Sequence, residues 1–326
     1  MTVPQYKTVK NKIFRMWAVQ SRPHSSRQAM RNQRSRNDLI PALIFLLPGL
    51  VLFALFFLGP MLYSLRISFF EWKIVHPEQS VFVGLRNYQR ALSDDIFQRA
   101  ILNTLAYTVI TVSVKLILGL AVALLLNQRL PGRTFFRVAY YLPVITSWVI
   151  VSLLFEYMFN GQAGLVNYIL KDILQVIPKN LLWFADPILT QVPIVLLDIW
   201  KGIGWAAVIF LAGLQSIPAE LYEAARVDGA DSWAQLRYIT WPLLGPTTIF
   251  LIVVLVIGGL NAYVPFQLMT NGGDPMDQTH SVLTLMYEAT FGRIDFGYGA
   301  AISYLLTLFV FVISVIELRL MKREAS

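Results

Sequence analysis

Six long apolar runs alternate with polar segments along this chain. The runs cover residues 39–65, 101–126, 138–159, 188–214, 243–269 and 298–318. A helix that crosses a bilayer needs about 20 mainly apolar residues, and each run meets that length. Period-two alternation of apolar and polar positions, the mark of a membrane β-barrel, is absent. The pattern predicts an all-α, polytopic membrane protein with six transmembrane helices. It leaves a tail over 1–38, a loop over 66–100 and a tail over 319–326. The last five runs form a core domain over 101–318, interrupted by a charged hairpin over 215–242.

The hairpin carries its own helical pattern. Residues 222–242 read YEAARVDGADSWAQLRYITWP. Pro218 suits the first turn of a helix, where its missing N–H is not needed. Ala219, Glu220, Leu221, Glu223, Ala224 and Ala225 continue with strong helix formers. Gly229 should end this helix, because glycine takes the left-handed capping conformation cheaply. Ser232 and Gln235 match a capping box for a second helix, on which Trp233, Leu236 and Thr240 share a face. Two short helices at the membrane surface are expected. A helix lying on lipid normally presents Lys and Arg. Here Glu220, Glu223 and Asp228 stand against Arg226 alone, a balance that anionic lipid repels. A protein partner is the better reading. The small Ala224 and Ala225 side chains allow close approach, and Glu223 offers a carboxylate to a basic group.

Composition agrees with the pattern. The chain has 326 residues, 56% hydrophobic and 14% charged, whereas soluble domains carry about 25% charged residues. There is no cysteine, which excludes disulfides, thiolate catalysis and cysteine-bound metals. His24, His76 and His280 are far apart and none lies in a metal-ligand spacing, so no metal site is expected. The net charge of +8 sits largely in the tail, with Lys7, Lys10, Lys12, Arg15, Arg22, Arg27, Arg31, Arg34 and Arg36. That placement fits a membrane surface rather than nucleic acid. No apolar core with a cleavage site precedes residue 39, so no signal peptide is expected.

The same charges set an orientation. With the N-terminus in the cytoplasm, the inner side holds those nine residues, Arg129, Arg133, Arg137, Arg226, Arg237, Arg319, Lys322 and Arg323, a total of 17. The outer side holds Lys73, Arg86, Arg90, Arg99, Lys171, Lys179 and Arg293, a total of 7. Positive residues concentrate on the cytoplasmic side, so both termini and the hairpin are expected inside.

Polar groups within spans are candidates for function. Asp198 and Lys201 lie three apart, with Trp205 four beyond. They either pair with each other, or Lys201 snorkels or helps to structure a subunit interface. Lys115, alone in the second run, suits burial against protein better than substrate contact. Asn261 could bind a sugar hydroxyl or make an interhelical hydrogen bond. No G-x-x-x-x-G-K-[ST] is present, Gly272 and Gly273 read as a turn, and no nucleophile–base set is found. The chain is not expected to hydrolyse ATP.

The hairpin also carries a resemblance. Glu223-Ala224-Ala225, three residues, Gly229, nine residues, Ile239, one residue and Trp241-Pro242 resemble the EAA loop of binding-protein-dependent ABC importer permeases, with Trp241 in place of the family's leucine. FVGLRNYQRAL, NTLAY, YLPVITSWV, LQSIPAELYEAARVDGA and LMTNGGDP are similar to the carbohydrate (maltose-type, sugar/glycerol-phosphate) subfamily. Together they cover most of residues 82–304. The resemblance implies the type I importer permease fold in a bacterial or archaeal inner membrane. It implies a second permease subunit, favouring a heterodimer, two cytoplasmic ATPase subunits that bind ATP and Mg2+, and an extracytoplasmic solute-binding protein. This chain would hold no cofactor. Glu223, Ala224, Ala225 and Gly229 would couple it to an ATPase. The family's sugar-contacting positions fall on Gly202 and Trp205, and on Gly258, Gly259 and Ala262, where small residues depart from the pattern. With Asn261 these form the expected substrate path. A secondary transporter, which commonly shows internal repeats, and a non-transporting membrane subunit are the competing readings. Monosaccharides, oligosaccharides, uronate glycans and glycerol-phosphate compounds all stay open as substrate.

Overall fold

A computed structural model describes Pro41, residues 44–128 and residues 131–324. The basic tail over 1–38, the start of the first apolar run and Arg129 lie outside the described residues. The chain divides into two units, Met1–Ser64 and Leu65–Ser326. The described part of the first belongs to α1 (Ile44–Ile67). Its hydrogen-bond ladder widens to a π turn at Ala54–Leu58, and its apolar side chains are exposed.

The second unit opens with two short antiparallel strands, β1 (Phe70–Glu71) and β2 (Val81–Phe82), with Phe70 opposite Phe82. On α2 (Arg86–Ser93) the buried Asn87 donates to the carbonyls of Ser68 and Phe70 at 2.9 and 3.0 Å. Asp94 then accepts the Ile96 N–H at 2.9 Å and caps α3 (Asp95–Asn127). The second span therefore starts at Asp95, before the apolar run itself. α6 (Pro187–Gln215) starts in the same way, with Asp186 accepting from Ile188 and Leu189 and Pro187 in the first turn. α9 (Gly245–Met269) is interrupted around Asn261, between helical segments Gly245–Leu260 and Val264–Met269. After α10 (Val282–Tyr287), α11 (Phe296–Glu324) closes the fold.

The third apolar run departs from the expected single span. It forms α4 (Arg133–Ile145) and α5 (Trp148–Met158), bent by 94°. Pro143 lies in the last turn of α4, and Thr146 and Ser147 are extended. Among the described residues five helices are long and apolar enough to cross a membrane. A sixth span exists if the bent pair is counted as one.

Three apolar clusters hold the second unit together. α3 and α6 pack through Val122, Ala123, Ala207, Phe210 and Leu214, joined by Leu251 of α9. A Cβ at Gly119 would lie 2.6 Å from that of Ala206, so glycine sets how closely α3 and α6 approach. Small residues serve membrane helix packing in this way. Phe97, Leu285, Tyr298 and Ile302 tie α3, α10 and α11. Tyr107, Val151, Leu197 and Phe266 tie α3, α5, α6 and α9.

The hairpin forms α7 (Ala219–Val227) and α8 (Ser232–Gln235). Pro218 is the cap residue rather than a first-turn residue. Gly229 takes φ +82°, and the Ala230 N–H returns to the Ala225 carbonyl at 2.8 Å. The expected capping box at Ser232 does not form. Asp231 caps α8 instead, accepting the Ala234 N–H at 2.7 Å, while Gln235 donates to the Ala230 carbonyl at 3.0 Å. Nor do Trp233 and Thr240 share an environment, because Trp233 is 67% exposed and Thr240 3%. The π turn Leu236–Thr240 rotates the two apart. The Tyr222 hydroxyl meets Thr240 Oγ1 at 2.9 Å and joins the two arms.

Candidate functional site

A cavity of about 440 Å³ lies between α3, α5, α6 and α9. Gly202, Trp205, Gly258, Gly259, Asn261 and Ala262 all lie on its wall. The structure thus brings the expected path residues together. Tyr107, Trp148 and Tyr263 complete an aromatic lining that the sequence reading missed. Tyr107 ends NTLAY and Trp148 sits in YLPVITSWV, so the signal was in stretches already singled out.

The structure decides among the alternatives open for the buried charges, and Lys115 is buried against protein as expected. Asp198 does not pair with Lys201, three residues on. It pairs across the helix interface with Lys115 of α3, Nζ to Oδ2 at 2.7 Å, with side chains 5% and 8% exposed. Gly202 makes this reach feasible, because a Cβ there would lie 2.3 Å from Lys115 Cδ. Lys201 turns to the break between α4 and α5. Its Nζ donates to the carbonyls of Pro143, Val144 and Thr146 at 2.8, 3.1 and 2.6 Å, and it lies 5.0 Å from the Trp148 ring centroid. A Cβ at Gly204 would sit 2.0 Å from the Tyr140 carbonyl oxygen, so glycine also lets α4 lie against α6.

Each of these groups answers a cost. An unpaired backbone carbonyl or bare charge at membrane depth costs several kcal/mol. Lys115 and Asp198 neutralise one another, and Lys201 is solvated by carbonyls. The three charges sum to one positive.

The wall separates into packed and open positions. A side chain on Gly259 would meet Thr108 at 2.8 Å, whereas one on Gly258 would meet nothing within 4 Å. Ala262 is buried in the α5–α9 cluster. Asn261 caps the interrupted α9 by donating Nδ2 to the Ile257 carbonyl at 2.8 Å, which leaves its side-chain oxygen as an acceptor. Trp205, Gly258 and Asn261 are therefore the expected path residues open to a solute. On the hairpin, Glu223, Ala224 and Gly229 are exposed and Ala225 is half-buried.

The family described as binding-protein-dependent transport system inner membrane component matches residues 115–323. A probable ABC transporter permease protein of Pyrococcus horikoshii is 35% identical, over 86% of this chain and 95% of that protein. The trehalose/maltose transport system permease protein MalF of Thermococcus litoralis is 36% identical, over 85% and 92%. Among solved structures, a bacterial ABC transporter involved in the import of the acidic polysaccharide alginate has a chain with a TM-score of 0.76 and 22% identity. It covers 90% of this chain and 99% of its own length, and is a likeness of fold.

The ion pair makes a direct prediction. Removing one partner of a buried pair costs about 3–5 kcal/mol, while replacing both with apolar residues of similar volume is often neutral. Lys115→Met and Asp198→Leu should each lower thermal stability in detergent sharply, and the double variant should recover most of the loss. Additive losses in the double variant would show that the pair does not exist.

Proposed function

Since the chain belongs to the family of binding-protein-dependent transport system inner membrane components, and is a permease subunit of an ATP-driven ABC importer rather than an enzyme, we propose that its cavity carries a sugar, oligosaccharide or related compound. The observation that carries this reading is the lining: aromatic Tyr107, Trp148, Trp205 and Tyr263 around a few polar groups. Sugar rings have apolar faces that stack on aromatics and hydroxyls that need directional partners, and pockets of mostly apolar lining with few placed polar groups suit them. The Asn261 oxygen is one such acceptor. The net positive charge disfavours a cationic solute and admits neutral or acidic ones. Relatives named for trehalose/maltose and arabinooligosaccharides support the same class.

The chain works beside a second permease subunit, with two ATPase subunits on the cytoplasmic side and a solute-binding protein outside. ATP and Mg2+ belong to the ATPase subunits. The hairpin is the coupling element: Glu223, Ala224, Ala225 and Gly229 form its contact, and Val227, 88% exposed, adds apolar area that docking would cover. ATP binding can shift a transport equilibrium only through contacts that differ between states, and an exposed, internally tied hairpin can supply them.

We infer that both termini and the hairpin are cytoplasmic, a reading that the excess of Lys and Arg supports. Reporter fusions at Asp231 should read cytoplasmic and those at Lys179 and Asp277 external. A cytoplasmic reading at Lys179 would overturn this orientation.

Path and coupling can be separated in one set of transport assays at matched complex abundance. Trp205→Ala and Asn261→Ala should lower uptake several-fold or change preference among related sugars, since one lost hydrogen bond is worth about 1 kcal/mol. ATPase stimulation by the loaded binding protein should largely survive. Glu223→Lys should abolish both. Unchanged uptake and preference in both path variants would reject the cavity as the sugar site, and wild-type transport by Glu223→Lys would reject the coupling role.

A further inference from the structure

The segment between α9 and α11 holds a cluster outside the cavity described above. Asp277 and His280 come from the turn before α10, and Glu288 begins the π turn Glu288–Gly292 that extends α10. Asp277 Oδ1 and Glu288 Oε2 lie 3.6 and 3.0 Å from His280 Nε2, and all three atoms lie within 4.8 Å of one another. His280 is 1% exposed, yet its Nε2 makes no hydrogen bond. The Glu288 oxygen is near it at an angle that no N–H serves.

The surrounding bonds accommodate a proton on Nδ1. The Thr284 hydroxyl donates to the Ser281 carbonyl at 3.0 Å, and Ser281 Oγ donates to the Ala262 carbonyl at 2.8 Å. Thr284 Oγ1 lies 3.2 Å from His280 Nδ1 and can accept Nδ1–H in this arrangement. Nε2 then presents a lone pair toward two carboxylate oxygens. Three electron-rich atoms facing one another in a buried place repel unless a cation lies among them.

We propose that Asp277, His280 and Glu288 form a binding site for a divalent transition metal of the zinc class. One imidazole nitrogen with two carboxylate oxygens suits Zn2+, whereas Mg2+ and Ca2+ favour oxygen ligands alone. The outer contacts fit as well. A ligating histidine usually gives its other N–H to a neighbour that fixes the ring, and Thr284 is placed to accept it. Arg293 bonds Glu288 through Oε1, at 3.0 and 2.9 Å, which orients the carboxylate and leaves Oε2 free. Its positive charge lowers the affinity without occupying the site. Gly273 packs over the same nitrogen, where a Cβ would lie 2.3 Å from Nε2. The bound ion would pin the turn around Asp277, whose φ is +57°. That turn is already tied to α3 by Asn103, which donates to the carbonyls of Gln278 and His280.

The test uses the full chain in its assembled transporter, treated with chelator and titrated with Co2+ and then Zn2+. The expected result is one equivalent per chain beyond the His280→Ala complex, with visible Co2+ bands that Zn2+ bleaches and Mg2+ does not. Asp277 is half exposed, so Asp277→Asn tests the site in a chain that folds. It should weaken binding by at least about the 10- to 100-fold that loss of an outer-shell partner alone costs, and Glu288→Gln should do the same. A wild-type complex that binds no more metal than His280→Ala would overturn the proposal. So would wild-type affinity in either carboxylate variant.

Discussion

A backbone carbonyl in the apolar part of a membrane needs a partner, and the break between α4 and α5 interrupts the helical ladder at the carbonyls of Val144 and Thr146, while that of Pro143 accepts from Thr146. Irregular backbone is tolerated there only where something else satisfies it. Lys201 meets that demand with one ammonium group and three carbonyls. The rest of the site depends on this. With Lys201 engaged at the break, Asp198 needs another cation, and α3 supplies Lys115. Lys115 needs a channel for its stem, and Gly202 provides it. α4 must lie against α6 for the carbonyls to reach Lys201, and Gly204 permits that approach.

The same constraint shapes the proposed transport path. The two interrupted segments, the α4–α5 bend and the gap in α9 around Asn261, both border the cavity. Lys201 serves the first break from within, while at the second the Asn261 amide adds a bond to the Ile257 carbonyl beside that from its own backbone N–H. The buried charges therefore act as scaffold, already committed to protein partners. What remains for a solute is the aromatic lining, the Asn261 oxygen and the open space over Gly258. That division suits a transient site, which must bind the proposed solute weakly enough to release it.

Much of this was legible in the sequence. Length and hydropathy located the spans, and the spacing of Glu223, Ala224, Ala225 and Gly229 located the hairpin. The path positions converge on one cavity because they lie on two helices that face each other. The errors have physical causes. Hydropathy cannot register a bend inside an apolar run, so residues 138–159 read as one straight helix. A spacing of three on one helix left an Asp198–Lys201 pair as one alternative, but partners from other helices decide where buried charges go, and those depend on packing around glycines. Asp231 and Ser232 both suit a helix cap, and only the backbone chooses between them. Asp277, His280 and Glu288 escaped because their approach depends on a turn that no spacing rule describes.

The central claim is that Lys201 holds the broken span in place. Hydrogen–deuterium exchange of the assembled transporter, comparing Lys201→Met with the wild type, tests it most directly. The Thr146 N–H bonds back to the Pro143 carbonyl and the Val151 N–H to that of Ser147, so these amides report on the break. Faster exchange is expected, confined to residues 143–151 and their immediate contacts, with exchange elsewhere in α6 unchanged. Wild-type protection across that segment in Lys201→Met would contradict it.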